Sequence, residues 1–235
     1  MTSPTETGWM RTISGEDHTD VPRFETPWAE TELHTVYFDL ELRQDPDDIG
    51  GWDAARARGE VSIACVWDST TGENAFYDDF ALGDLAGHLE RAGVVVTFNG
   101  KWFDLPLVEA HLGRSLRLRE SIDLFALVKH ALERAGKPWK GHGLGAICSR
   151  TLGMDKIGTG KRAPELAREG RIAELVTYCA HDVTLTRKLA DFIRSEGYII
   201  DADGDRLALG EFLPNWWRRD SRKMQELQEK ACKNA

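Results

Sequence analysis

Cysteine is scarce in this chain, and no long apolar run is present. Only four cysteines occur among 235 residues, and none of them forms a Cys-x-x-Cys pair. Because zinc ribbons and disulfide frameworks require closely spaced cysteines, we expect free thiols in a reducing compartment and no zinc site. No apolar run approaches the roughly 20 residues needed to span a membrane, and the first residues contain no apolar signal-peptide core. These absences predict a cytoplasmic protein with no membrane partner.

An excess of positive charge is also missing. The chain has 30 Lys and Arg residues against 39 Asp and Glu residues, which gives a net charge of −9. This balance argues against a protein that binds nucleic acid through bulk electrostatics, but it allows an enzyme that holds phosphates through metals and a local basic patch. The length, with 41% hydrophobic and 29% charged residues, fits one sizeable α/β domain without internal repeats.

The segment His34–Arg43, HTVYFDLELR, predicts a strand that ends in two carboxylates. Asp39 and Glu41 are two residues apart, so an extended backbone points both side chains to one face, while apolar residues take the other. With no Lys or Arg between them, the two like charges raise each other's pKa unless a divalent cation lies between them. Carboxylate oxygens suit Mg²⁺ or Mn²⁺. A solvated strand end explains the same triplet, so the rest of the chain has to decide.

The order of the predicted elements indicates one α/β domain with extensions at both ends. Residues 1–31 are polar and aperiodic and predict a flexible arm. Residues 32–197 form the predicted domain, a mixed sheet of about five strands flanked by helices. Its strands are predicted near residues 36–42, 60–67, 74–77, 94–98 and 121–123, and its helices over residues 82–92, 104–112, 124–134, 144–152 and 171–194. Residues 198–235 predict a hairpin, with a tight turn at Asp203–Gly204, and a final charged helix packed on or beside the domain.

Two more carboxylates occur at informative places in this pattern. Asp104 ends the segment NGKWFD, directly after the buried fourth strand and at the start of a helix. Functional groups gather at the carboxyl ends of parallel strands in open α/β sheets, although a plain helix N-cap explains the same residue. On the last long helix, Tyr178 and Asp182 are four residues apart and share a face. Taken alone, Asp182 could be an ordinary exposed helix residue.

Together the three sites resemble the DEDD superfamily of 3′-5′ exonucleases. Asp-x-Glu ends a first strand, Asn-Gly-x-x-Phe-Asp follows a later strand, and Tyr-x-x-x-Asp lies on a late helix. The surrounding sequences, TFNGKWFDLPLVEAHL, SIDLFALVKHAL and APELAREGRIAELVTYCAHDVTLTRKLA, resemble ribonuclease-H-like exonucleases that are often standalone or helicase-associated. Tyr178 indicates the Tyr-containing branch, because the His branch would need a His where Thr177 stands. The resemblance covers about residues 33–195 and implies a ribonuclease-H-like fold.

The resemblance implies a two-metal active site for phosphodiester hydrolysis. Two Mg²⁺ or Mn²⁺ ions about 3.5–4 Å apart would activate the attacking water, neutralise charge and stabilise the leaving oxygen. It implies that Asp39 bridges the ions, that Glu41 and Asp182 bind one ion, and that Asp104 binds the other partly through water. Tyr178 would orient the attacking water, since a phenol with a pKa near 10 is a poor base at neutral pH. These four metal ligands and the tyrosine are the expected catalytic residues.

Contacts to nucleic acid are expected from residues beside the carboxylates and from lysines, most of them in the Gly-rich segment 136–161. Basic side chains there would guide a single strand into the site. The expected contacts come from Leu40, Leu42, Asn99, Lys101, Phe103, Lys140, Lys156 and Lys161. Leu42 stands where many relatives have a Thr that helps to hold the substrate's terminal hydroxyl, which weakens the expectation of strict 3′-end selectivity.

The preferred prediction is a 3′-5′ exonuclease that acts on the 3′ ends of single-stranded DNA. An exoribonuclease with the same site and a non-catalytic binding or scaffolding module are the alternatives. All four carboxylates and the tyrosine are present, which favours the enzyme. Discrimination between DNA and RNA depends on the shape of the pocket around the 2′ position, so the sequence leaves it open. The expected protein partner is a helicase or another repair or replication protein.

Overall fold

The computed structural model describes residues 34–217, and residues 1–33 and 218–235 are not described. The predicted N-terminal arm and most of the predicted final helix lie outside the described residues. The main sheet contains β1 (Thr35–Leu42), β2 (Val61–Asp68), β3 (Glu73–Tyr77), β4 (Val94–Thr97) and β5 (Ser121–Asp123), and a separate hairpin contains β6 (Tyr198–Ile200) and β7 (Arg206–Ala208). The helices are α1 (Trp52–Arg58), α2 (Leu82–Arg91), α3 (Asp104–Leu112), α4 (Leu124–Arg134), α5 (Leu144–Leu152), α6 (Arg162–Arg168) and α7 (Ile172–Glu196).

The five-stranded sheet is mixed, with the order β3-β2-β1-β4-β5. The first three strands pair antiparallel as a meander. β4 then pairs parallel to β1, and β5 pairs parallel to β4. β1 is the central strand, the third of the five in this order. This arrangement confirms the predicted α/β fold, a ribonuclease-H-like mixed sheet of five strands flanked by helices.

Helices cover both faces of the sheet and bury the alternating side chains of β1. Val36 and Phe38 belong to a core formed with α1, α2 and α3. Tyr37, on the opposite face, belongs to a core formed with α4 to α7. Asp39 and Glu41 follow Tyr37 with the two-residue period of a strand, so they share its face. The carboxylate face of β1 is therefore the face on which the long helix α7 packs.

The structure differs from the predicted elements in three places. Two short helices, α1 and α6, were not predicted, because each has only seven residues, too few for an apolar period to be recognised. The loop of the C-terminal hairpin has five residues, 201–205, instead of a two-residue turn, since Gly204 has a φ of 88° while Asp203 is not in the left-handed region.

Two further features bear on the sequence analysis. Cys65, Cys148 and Cys179 are buried free thiols, as predicted, and the fourth cysteine lies outside the described residues. Trp217 is buried, whereas its neighbour Trp216 is 45% exposed. Within residues 34–217, no helix is long and apolar enough to cross a membrane.

Candidate active site

Three carboxylates meet where the central strand ends under the last long helix. Asp39 and Glu41 project from β1, and Asp182 projects from α7 towards them. One oxygen from each of the three carboxylates lies within 4.8 Å of the others. The Sγ of Cys179, one turn before Asp182, contacts the Asp39 carbonyl oxygen at 3.6 Å, which fixes α7 against the strand. The packing of α7 on β1 thus brings Asp182 to Asp39 and Glu41, which are far from it in the sequence.

The turn after β4 places the fourth predicted carboxylate, Asp104. Asp123, at the end of β5, accepts hydrogen bonds from the Thr97 hydroxyl at 2.9 Å and from the Lys101 amide at 3.0 Å, so it holds both sides of the turn. Gly100 is required there, because a Cβ atom at this position would lie 2.7 Å from the Thr97 Cβ. Asn99 adopts a φ of 70°, a left-handed conformation that Asn tolerates better than most residues. The tight turn brings Asp104 back to the edge of β1.

Asp104 is buried and is not the N-cap of its helix, since the N-cap position of α3 is Phe103. Its carboxylate bonds instead to the central strand. Its Oδ1 accepts a hydrogen bond from the Leu40 amide at 3.2 Å. Burial raises the pKa of Asp104 to about 7, although hydrogen bonds from its own amide and from Leu40 act in the opposite direction. Asp104 lines the same cavity as the other three carboxylates but does not join their close cluster.

The carboxylate cluster disfavours the ionised state in the absence of cations. Burial, followed by repulsion from Asp104 and Glu41, raises the pKa of Asp39 well above its usual range. The pKa of Glu41 is raised by burial and by Asp182. The Oδ1 atom of Asp182 is buried and has no hydrogen-bond partner among the described residues. A buried oxygen without a partner costs free energy, so this set of hard oxygen donors fits a divalent cation.

Lys156, one of the residues expected to contact nucleic acid, also forms an ion pair within the carboxylate cluster. The local sequence around the carboxylates contains no basic partner for them, but the Nζ of Lys156 lies 2.5 Å from the Asp182 Oδ2. Burial would lower the pKa of Lys156, but the neighbouring Asp182 holds it above its usual range. The stem of the lysine passes over Gly145 of α5, where a Cβ atom would lie 2.8 Å from the Lys156 Cγ. Lys156 therefore reaches the cluster because α5 has no side chain at that point.

Tyr178 lies beside the carboxylates but is engaged by the loop that carries Lys156. Its side chain is 2% exposed, and its hydroxyl donates a hydrogen bond to the Thr159 carbonyl oxygen at 3.0 Å. Burial, with a further contribution from Glu41, raises the pKa of Tyr178 above its usual value. The neighbouring His181 contacts the Asp155 carbonyl oxygen of the same loop at 2.9 Å. Side chains of α7 thus hold this loop against the site.

A cavity of about 440 Å³ opens over the carboxylates. Of the residues expected to contact nucleic acid, Leu40, Leu42, Asn99, Phe103 and Lys156 line it. Lys101, Lys140 and Lys161 are exposed and lie outside its lining, and the Nζ of Lys161 is 3.8 Å from the Asp45 Oδ2.

Aromatic residues that the sequence analysis missed also line this cavity. They are Trp52, Phe98, Phe125 and Trp139. Trp52 and Trp139 are 64% and 62% exposed, and Trp52 meets Phe103 edge to face with ring centroids 5.2 Å apart. Large exposed aromatic side chains are uncommon. Trp52 and Trp139 lie in turn-rich, polar segments, and this position is the sequence signal that could have identified them.

Comparisons with known proteins agree with this fold. No curated protein sequence is significantly similar to the chain. Among solved structures, the chain is similar to the family B DNA polymerase from the hyperthermophilic archaeon Pyrobaculum calidifontis, with a TM-score of 0.52 and 17% sequence identity. The similar region covers 69% of this chain and 25% of the polymerase chain, so it spans about a quarter of that protein. Residues 36–194, from β1 to α7, match the RNase_H superfamily. The chain therefore belongs to the RNase H superfamily.

Proposed function

We propose that this protein is a two-metal-ion-dependent 3′-5′ exonuclease of the Tyr-containing DEDD branch that acts on single-stranded DNA. The observation that carries this proposal is the cluster of Asp39, Glu41 and Asp182 at the floor of an open cavity, with oxygens within 4.8 Å of one another. Burial, together with the mutual repulsion of the carboxylates, raises the pKa of Asp39 and Glu41, and a bound cation would relieve this cost. Perturbed carboxylates in a cleft are typical of functional sites.

The donors fit Mg²⁺ or Mn²⁺, and the unpartnered Asp182 Oδ1 is an oxygen that a cation would satisfy. Asp39 would bridge two ions, Glu41 and Asp182 would bind one of them, and Asp104 would bind the other in part through water. Such ions, when bound, supply an acidified water and neutralise the charge that develops on the phosphate. Asp104 keeps its place in this arrangement because the Leu40 amide holds its Oδ1.

Two side chains of the site would change partners when substrate binds. Tyr178 would turn its hydroxyl from the Thr159 carbonyl to the attacking water and orient it, since its raised pKa makes it a poor base. Lys156 would leave Asp182 and place its ammonium beside the phosphate backbone, where its charge is attractive. Both changes involve the loop between α5 and α6, so movement of this loop would accompany binding.

The cavity walls suit a single strand with exposed bases. Trp139 and the Trp52–Phe103 pair offer ring faces and edges on which bases can stack, and stacking of this kind is tolerant of sequence. The exposed Lys101, Lys140 and Lys161 would attract the backbone further from the site. The fold similarity to a DNA polymerase favours DNA as the substrate. A cytoplasmic location and a helicase or another repair or replication protein as partner belong to the same proposal.

The test uses 5′-labelled single-stranded DNA and RNA of the same sequence, incubated with the purified protein and Mn²⁺, Mg²⁺ or EDTA. We expect a ladder that shortens from the 3′ end of the DNA, with no products in EDTA. Asp39→Asn, purified in parallel, is the control for contaminating nucleases and should give no ladder. Faster shortening of the RNA would identify the protein as an exoribonuclease instead. Cuts within the strand would contradict the assignment as an exonuclease. Intact DNA and RNA under all metal conditions would favour a non-catalytic module.

A further inference from the structure

Two imidazoles and a carboxylate converge at the opposite end of the central strand from the active site. His34 directly precedes β1, Asp68 ends β2, and His88 lies on α2. The Nε2 of His34 lies 3.0 Å from the Asp68 Oδ2, and the Nε2 of His88 lies 2.8 Å from the same oxygen. All three atoms lie within 4.8 Å of one another. Three segments distant in sequence thus present three donor atoms to a single point.

Neighbouring groups orient this cluster in the way that a metal site requires. The Thr70 amide donates to the Asp68 Oδ1 at 2.7 Å, which leaves Oδ2 directed at the imidazoles. The Tyr77 hydroxyl lies 2.7 Å from the His88 Nδ1, so it holds the far side of the ring while Nε2 faces the cluster. Ligands of protein-bound metals are commonly held by such outer hydrogen bonds, which fix the ring orientation and the tautomer. Asp68 and His88 are buried almost completely, with side-chain exposures of 11% and 12%.

No lysine or arginine neutralises Asp68 within residues 34–217. Among these residues, three groups of acidic or His side chains lie close enough together to hold an ion. In the other two groups an ammonium is already paired with a carboxylate, since Lys156 contacts Asp182 and Lys137 contacts Asp201. The ion pairs of Asp68 are with His34 and His88, which are themselves potential metal ligands.

We propose that His34, Asp68 and His88 form a zinc site separate from the proposed catalytic metals. Two nitrogens and one oxygen are a common zinc donor set, with bond lengths of about 2.0–2.2 Å. Tetrahedral ligand atoms at that distance lie about 3.4 Å apart, so the two observed nitrogen–oxygen separations, 3.0 and 2.8 Å, need to open by only about half an ångström. The fourth position would be taken by water or by a donor from a ligand. Closely spaced cysteines were the zinc signal sought in the sequence, whereas these three ligands are 34 and 20 residues apart and form no motif.

The proposed ion would hold the start of the central strand to its neighbour and to α2. Asp39 follows His34 by five residues, a separation of about 17 Å at the rise of an extended strand. The ion would therefore not replace a catalytic metal. Its effect would be to stabilise the fold and to fix the point at which the chain enters the sheet.

The experiment measures Zn²⁺ binding to the full chain after treatment with EDTA and dialysis, in an Asp39→Asn/Asp182→Asn background that weakens cation binding at the active site. Isothermal titration should find one tight Zn²⁺ site, and Co²⁺ should give the visible absorption of a four-coordinate complex. His34→Gln and His88→Gln should each weaken Zn²⁺ binding by more than about 100-fold, and Tyr77→Phe, which removes an outer contact, by about 10–100-fold. His130→Gln, an exposed histidine elsewhere, should change nothing.

The outcomes separate this proposal from the proposed nuclease function. Equal Zn²⁺ affinity in all variants, or no Zn²⁺ binding in the Asp39→Asn/Asp182→Asn background, would overturn the proposed zinc site. The cluster would then be a set of hydrogen bonds that connects β1, β2 and α2. His34 is partly exposed at the strand entry, so its variant should fold even if His88→Gln does not, and circular dichroism would verify this. Because the background lacks the catalytic ligands, the result does not depend on whether the protein cleaves DNA.

Discussion

Replacement of Lys156 by Gln should destabilise the protein without metal and strengthen its binding of Mn²⁺. The ammonium of Lys156 lies 2.5 Å from the Asp182 Oδ2, and the Asp182 side chain is only 4% exposed. Gln retains a polar side chain but removes the charge. Without metal, the variant leaves three clustered carboxylates with no cation at this position. With metal, it removes a group that competes for Asp182.

The size of both effects follows from the same contact. A hydrogen bond to a charged group contributes about 1.5–3 kcal/mol, and protonation of the carboxylates would relieve part of the loss, so about 2 kcal/mol is a reasonable figure. In a domain of this size, that corresponds to a fall in Tm of roughly 4–8 °C. If Lys156 has to leave Asp182 before Mn²⁺ binds, the same 2 kcal/mol gives up to about a 30-fold lower Kd for Mn²⁺.

Differential scanning calorimetry and titration with Mn²⁺ measure the two effects, each at the same pH and ionic strength. Lys161→Gln is the matched control, since Lys161 lies in the same loop with its side chain 74% exposed. The control should leave both Tm and Kd nearly unchanged. If Lys156→Gln weakened Mn²⁺ binding, Lys156 would support the metal site instead of competing with it, and our reasoning about this residue would be wrong.

Three further predictions concern the carboxylates and the tyrosine. Millimolar Mn²⁺ should raise the Tm of the wild type more than that of Asp39→Ala, and an equal rise in both would argue against a shared site built on Asp39. Tyr178→Phe should lower kcat by about 10²–10⁴-fold while the Kd for Mn²⁺ stays close to wild type, and full activity would remove the tyrosine from the mechanism. Loss of the hydrogen bond to Thr159, worth about 1 kcal/mol, should lower the Tm by only about 2–4 °C. Burial raises the pKa of Asp104 to about 7, so between about pH 4 and 7 the folded protein binds protons that the unfolded chain has released. The Tm of the metal-free protein should therefore rise as the pH falls from about 8 to 5, and a Tm that instead fell over this range would contradict the raised pKa.

The elements that form the site were predictable because each has a strong local pattern. The two-residue spacing of Asp39 and Glu41 fixes their common face in any strand. The apolar run at 94–97 has the composition of a strand buried on both sides, which β4 is. The apolar repeat around Tyr178 and Asp182 is long enough to define α7. Local sequence was sufficient to predict these elements because the spacing of apolar residues in each one matches the residues that the structure buries.

Other features depend on contacts that local sequence does not encode. The place of Lys156 is set by the path of a loop over Gly145, and local sequence could not predict that this path brings the ammonium to Asp182. α1 buries only Ala55 and thus shows no apolar stripe. The exposed Trp52 and Trp139 come together at the cavity through the packing of distant segments. The His34 cluster likewise exists only once β1, β2 and α2 have assembled.

The central claim is that Asp182 and its neighbouring carboxylates perform metal-dependent hydrolysis of a nucleic acid strand. The most direct measurement is the rate at which 5′-labelled single-stranded DNA is shortened in Mn²⁺ by Asp182→Asn and by Asp191→Asn, a control on the same helix with a partly exposed side chain. We expect Asp191→Asn to match the wild type and Asp182→Asn to be slower by at least about a hundredfold, because a metal ligand is lost. Equal rates for the two variants would contradict the assignment of this cluster as the active site.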